Sequence, residues 1–88
     1  MKLLDDIILN ELDGQYVVVD VRDSGDRFNG IIKLNETGAF VAKQLQNNTT
    51  MDEIVAAMME QYEVAEEVAR VNAVKVIEAF RKTGLLEE

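Results

Sequence analysis

The sequence predicts an α+β fold, a three-stranded antiparallel sheet followed by three helices. Three observations predict it. Two apolar runs flank Asp13-Gly14, a dipeptide that suits the two positive-φ positions of a tight hairpin. The stretch Gly30 to Phe40, GIIKLNETGAF, passes from a strand-like run directly into a helical pattern with almost no loop between. After it the apolar residues recur with the 3.6-residue helical period.

Taken in order, Met1 to Asp6 reads as a loose lead-in and Ile7 to Leu12 as the first strand. Tyr16 to Val21 is a β-branched second strand. Pairing across Asp13-Gly14 sets Leu12 opposite Gln15, Asn10 opposite Val17 and Ile8 opposite Val19. One face then carries Ile8, Val17, Val19 and Val21, the other Ile7, Leu9, Tyr16 and Val18. Both faces are partly apolar, so the pattern leaves open which one packs on helices. Arg22 to Arg27 is a polar turn around Gly25, and a third strand is expected over about Phe28 to Leu34.

Helix one is predicted from Glu36 to Gln46 with Asn35 as its N-cap; Phe40 is its expected anchor. Gly38 costs roughly 1 kcal/mol against alanine inside a helix, which makes sense if the helix start passes close to other backbone. Thr50 followed by Glu53 is a capping box that opens helix two, with Ile54, Val55, Met58, Met59 and Tyr62 as its stripe. Helix three is expected over Ala65 to Thr83, stopping at Gly84, with Ala69, Ala73, Val76, Ile77 and Phe80 on one face. Val68, Val71 and Val74 fall off that arc and offer apolar surface to the sheet or to a partner. Leu85 and Leu86 are expected to fold back as a plug, and Glu87-Glu88 to be a solvated tail. Two short helices beside a three-stranded sheet give a winged helix-turn-helix-like arrangement, although here the strands come first.

At 88 residues the chain is expected to be one domain, 1–88, whose stability depends on close packing. Proline, cysteine and histidine are absent. A disulfide framework is thereby excluded, and the ligands that zinc sites usually draw on are missing. No signal-peptide pattern or membrane-length apolar run occurs, so a cytoplasmic protein without membrane partners is expected. The net charge is −8, and both halves of the chain are acidic. Phosphate contacts dominate nucleic-acid affinity, so this balance argues against a nucleic-acid partner.

Catalytic groups are scarce. Without His or Cys there is no ordinary base–nucleophile pair, and Ser24 lacks a nucleophile-elbow context. Asp20, Asp23 and Asp26 do not match the calcium-loop spacing, and Arg22 and Arg27 offset their charge, so a solvated turn is the expected reading and no metal site is assigned. Glu66-Glu67 sits in the first turn of helix three, where negative charge is favourable for structural reasons. No phosphate-cradling glycine motif appears, and no cofactor is implied. The pattern points to a binding module rather than an enzyme.

Leu34-Asn35-Glu36-Thr37-Gly38-Ala39-Phe40, the capped helix TMDEIVAAMMEQY at Thr50 to Tyr62 and the closing Gly84-Leu85-Leu86 together resemble the PqqD-type precursor-peptide-binding proteins, the RiPP recognition elements. The resemblance covers nearly the whole chain. It implies a small non-catalytic peptide chaperone of natural-product biosynthesis. Such an adaptor binds the leader of a ribosomally made precursor peptide and presents it to a maturation enzyme, in the type case a radical SAM enzyme. It further implies that the leader adds as an extra strand along the third strand, in the groove beside the last helix. Carried onto this chain, the strand is Asn29, Gly30, Ile31, Ile32 and Lys33, and the groove wall is Val68, Val71, Asn72 and Lys75.

Physical chemistry agrees with that implication. Strand addition requires a proline-free edge, and residues 28–34 contain none. Lys33 could guard such an edge against self-pairing, or meet an acidic guest side chain. Gly30 would let a guest backbone approach or would mark a bulge. For Val68 and Val71, packing against the sheet competes with a groove role. Two other function classes compete with peptide capture. A winged-helix DNA-binding regulator would need a basic recognition helix, which Glu66 to Lys82 does not supply before Arg81. A homodimeric structural subunit would join its copies through the sheet edge.

Overall fold

Asp13 and Gly14 adopt φ of 52° and 81°, the mirror-image turn that suits the right-handed twist of a hairpin. The computed structural model describes residues 1–20 and 31–88. Its elements in chain order are β1 (Lys2–Leu3), β2 (Ile7–Leu12), β3 (Gln15–Asp20), β4 (Ile31–Leu34), α1 (Glu36–Gln44), α2 (Met51–Tyr62), α3 (Glu66–Lys82) and β5 (Leu86–Glu87). The main sheet is antiparallel with the order β2-β3-β4, and β3 lies in the middle. Expectations on Val21, the 22–27 turn with its aspartates Asp23 and Asp26, and Phe28 fall outside the described residues, as do those on Asn29 and Gly30.

The hairpin register matches the turn chemistry. Leu12 faces Gln15, Asn10 faces Val17 and Ile8 faces Val19. The face carrying Ile7, Leu9, Tyr16 and Val18 turns to the helices, with Val18 and Ile7 buried in the core. Across β4, Ile32 pairs with Val18 and Leu34 with Tyr16, so both stand on the same inner side and pack on the core. The outer side carries the row Ile8, Val19, Ile31, in which Ile8 and Ile31 are exposed. Val17, on the outer side between Asn10 and Lys33, is nonetheless buried.

The strand-to-helix junction at residues 34–36 sets the angle between sheet and helices. Asn35 caps α1, its side-chain oxygen accepting the Gly38 backbone N–H at 2.7 Å. A Cβ added at Gly38 would lie 3.2 Å from that capping oxygen and 3.5 Å from the Leu34 side chain. The glycine therefore keeps room for the cap, which explains its tolerance inside the first turn. Asn35→Ala should cost about 1 kcal/mol, the usual loss for an N-cap, readable as a lower denaturant midpoint at an unchanged m-value.

α1 ends at Gln44, two residues short of the predicted Gln46, with Leu45 as its buried C-cap. Its deepest side chains are Val41, Ala42 and the capping Leu45, all fully buried. Phe40 is only partly buried, its ring edge-on to Tyr62 at 5.4 Å, so it packs against the core rather than anchoring it. Thr50 caps α2 by accepting the Glu53 N–H at 3.1 Å. The reciprocal half of the expected box is rearranged, because the Glu53 carboxylate accepts from the Thr49 hydroxyl at 2.9 Å.

α3 buries Ala69, Ala73, Ile77 and Phe80, and Val76 packs at the margin. The small Ala69 and Ala73 allow close approach, and α3 contacts both α1 and α2. Its end is a Schellman motif: Leu85 N–H donates to the Phe80 carbonyl at 2.9 Å and Gly84 N–H to that of Arg81 at 3.0 Å, with Gly84 at φ 73°. Val68, Val71 and Val74 are exposed, so none of them packs on the sheet as its core.

Both chain ends correct the sequence reading. Met1 to Asp6 is not a loose lead-in: Leu3 is buried, and Lys2–Leu3 pairs antiparallel with Leu86–Glu87. Leu3 N–H also donates to the Leu45 carbonyl, and Leu4 N–H to that of Leu85. Glu87 is therefore part of a strand, and Glu88 pairs with Arg81 at 2.7 Å, which holds its carboxyl below the usual range. Leu85 is buried as the expected plug.

Candidate groove between the edge strand and the last helix

β4 is an edge. It pairs with β3 on one side, and among the described residues nothing hydrogen-bonds to its backbone on the other. In an antiparallel ladder, alternate residues direct both N–H and C=O away from the paired neighbour. A four-residue edge therefore offers two residues' worth of unpaired donors and acceptors.

The open edge borders a groove of about 300 Å³. Ile32, Lys33 and Leu34 form one side, with Asn35 and Gly38 at the end. The other side belongs to the C-terminal half of α3: Lys75, Val76, Ala79, Phe80 and Thr83. Its exposed lining is mostly apolar, because Ile32, Val76 and Phe80 are core-contacting side chains whose outer atoms form the floor. Gly38 thus serves two purposes, sparing the N-cap and leaving the groove end open.

Several of the sequence-named residues come together here. Ile32, Lys33 and Lys75 line the groove, and Ile31 flanks it on the outer side of β4, 56% exposed. Val68, Val71 and Asn72 line a separate shallow depression with Glu67, nearer the start of α3. The two regions lie on one helical stripe. Val68, Asn72, Lys75, Ala79 and Thr83 follow one another at spacings of three or four residues, so they share a face about 22 Å long at 1.5 Å per residue. The wall expected from the sequence ends at Lys75. The same spacing extends to Ala79 and Thr83, whereas Phe80 belongs to the core face and its outer edge is not visible in a pattern.

The charged groups near the sheet are ordinary in kind. Lys43 donates to the Tyr16 hydroxyl at 2.9 Å and lies over its ring, and this bond raises its pKa. Partial burial pushes the Tyr62 hydroxyl up, with Glu36 adding to the effect. Among the described residues no group of three or more acidic, His or Cys side chains could hold a metal, and no helix is long and apolar enough to cross a membrane. An open strand edge above an apolar floor can pair with an extended chain and seat its alternate side chains.

Solved structures share this architecture. One is TbiB1 in complex with the TbiA(beta) leader peptide, similar at a TM-score of 0.78 with 21% identity, over 99% of this chain and 95% of that one. Another is lasso peptide synthetase B1 complexed with the leader peptide, at 0.75 and 18%, over 99% and 96%. At these identities the likeness shows the fold. No curated protein sequence matches the chain. Residues 7–86, from the start of β2 into β5, match the family model described as coenzyme PQQ synthesis protein D, PqqD, and the chain belongs to that family.

Proposed function

We propose that this protein is a non-catalytic peptide chaperone that captures the leader of a ribosomally synthesised precursor peptide. The leader adds as a strand to the free edge of β4, and the precursor is thereby presented to a maturation enzyme of natural-product biosynthesis, of the radical SAM type. The adaptor acts as one cytoplasmic domain. Ile31, Ile32 and Lys33 form the receiving edge, and Asn29 and Gly30, outside the described residues, are assigned to the same peptide-binding role. Lys75 stands on the opposing wall, and Val68, Val71 and Asn72 extend that wall along α3.

The observation that carries this reading is the edge of β4, which no described residue pairs, facing an apolar-floored groove against α3. Main-chain pairing supplies affinity in such a mode, and pockets for alternate side chains supply selectivity. That both solved neighbours are complexed with leader peptides supports it. The same edge could receive a second copy of the chain. Two-fold pairing of β4 with itself in the register that sets Lys33 opposite Lys33 would bring like charges together, which disfavours that register.

Isotope-labelled protein titrated with candidate leader peptides tests the proposal. Amide shifts should concentrate in Ile31–Leu34 and along Lys75–Thr83. Shifts confined to α1 and β5, with β4 silent, would overturn it.

A further inference from the structure

Seven of the nine basic side chains lie among the described residues. Four of them are engaged. Lys2 pairs with Asp5, Lys43 with the Tyr16 hydroxyl, Arg70 with Asp52 and Glu66, and Arg81 with Glu78 and Glu88. The other three, Lys33, Lys75 and Lys82, have no hydrogen-bond or ion-pair partner among the described residues. Lys33 and Lys75 both line the groove, and Lys82 lines the depression that adjoins it through Lys75 and Ala79. Among the described residues no carboxylate lines the groove itself; the depressions that adjoin it at either end hold one each, Glu78, which is held by Arg81, and Glu36 at the start of α1. In a chain with seventeen acidic residues and a net charge of −8, this is a local reversal of sign. Elsewhere the described cations are committed to the fold.

The two groove lysines stand on opposite sides of the path a guest would take. Lys33 faces Val17 in the ladder and so belongs to the outer side of the sheet, whereas Lys75 rises from the α3 wall on the inner side. A strand added to β4 would lie about 4.8 Å away and send successive side chains to the two sides in turn. On the outer side its residue opposite Lys33 would sit with Cβ atoms about 5 Å apart, within ion-pair reach. Two positions along, its neighbour would lie opposite Ile31 and extend the apolar row of Ile8, Val19 and Ile31 by one strand.

We propose that the segment captured here is acidic: an extended stretch with one carboxylate opposite Lys33, an apolar residue two positions from it over Ile31, and a second carboxylate on the inner side within reach of Lys75. This rests on the strand-addition reading above and names the class of peptide that reading leaves open. Lys33 then serves twice, discouraging self-pairing of the empty edge and selecting a guest of opposite charge.

The test is a selection of short random peptides on the full-length protein and on the Lys33→Glu/Lys75→Glu variant, followed by titration of the labelled protein with the enriched peptides. The wild type should enrich Asp or Glu with an apolar residue two positions away, and the reversed variant should enrich Lys or Arg instead. A peptide selected on the wild type should lose about twofold to fivefold in affinity for each lysine reversed, as expected of exposed ion pairs, and should bind less tightly as salt rises. Lys2→Glu changes the net charge equally but lies away from the groove, and it should leave affinity unchanged. Lys33→Gln/Lys75→Gln replaces the reversed variant if the latter misfolds, and it should lose the acidic preference without gaining a basic one. Enriched peptides without an acidic preference that still shift the Ile31–Leu34 amides would overturn this inference and leave strand addition standing. Peptides that leave those amides unmoved, or no enrichment at all, would overturn both.

Discussion

Phe80→Ala should remove about 3 to 5 kcal/mol of stability, the range for truncating a buried aromatic side chain. A chain of this length is held together by only about 4 to 13 kcal/mol in all, so the variant should melt far below the wild type. Phe80 is 3% exposed, closes the Schellman motif through its carbonyl and forms part of the groove floor. Phe40→Ala is the internal comparison. Its ring is only partly buried, so its truncation should cost clearly less. Thermal melts followed by circular dichroism decide the matter, and a Phe40 variant less stable than the Phe80 variant would contradict the core described here.

The second large effect is on binding. Single prolines placed at Ile31, Ile32 and Lys33 should alternate in outcome, because successive strand residues direct their N–H groups to opposite sides. Proline where the N–H points into the β3 ladder removes a hydrogen bond of the sheet and should unfold or strongly weaken the protein. Proline where it points outward should leave the melting temperature within a few degrees, since edge positions tolerate it. That outward variant should still lose guest binding by at least about tenfold, because a donor is removed and the ring obstructs the approaching backbone. Binding as tight as wild type by the stable, outward-facing variant would rule out strand addition on β4.

The difference between Phe40 and Phe80 shows what a sequence can and cannot convey. Local grammar was legible: Asp13-Gly14 dictates the hairpin register, Asn35 and Thr50 cap their helices, and Gly84 stops α3 where expected. Each of these signals is completed within a few residues. Depth of burial is not, since it depends on which elements meet, and among the described residues α3 rather than α1 supplies the best-buried aromatic ring. The β1–β5 pair is invisible in the sequence for the same reason. Two-residue strands carry no period, and Lys2-Leu3-Leu4 finds its partners at Leu45 and at residues 85–87. Half of Glu53's expected capping role went to Thr49, a neighbour that the capping-box spacing does not include.

At the groove, the receiving role of β4 follows from the family resemblance; its residues alone show only a proline-free strand that runs straight into a capped helix. The opposing wall was only half legible. Val68, Asn72 and Lys75 begin the stripe that Ala79 and Thr83 continue, but the stretch beside β4 is the later one, and only the packing of α3 on the sheet decides that.

Pairing Lys2 with Glu87 also sets residues from opposite ends of the fold side by side. A few added residues bridging β1 and β5 would convert residues 1–88 into a cyclic fold. Such a ring, cut afresh at the Asp13-Gly14 turn, would keep β3, β4 and α1 to α3 on one uninterrupted thread. The order in which the elements leave a ribosome would be altered by that rewiring, while the surface offered to a guest would stay the same.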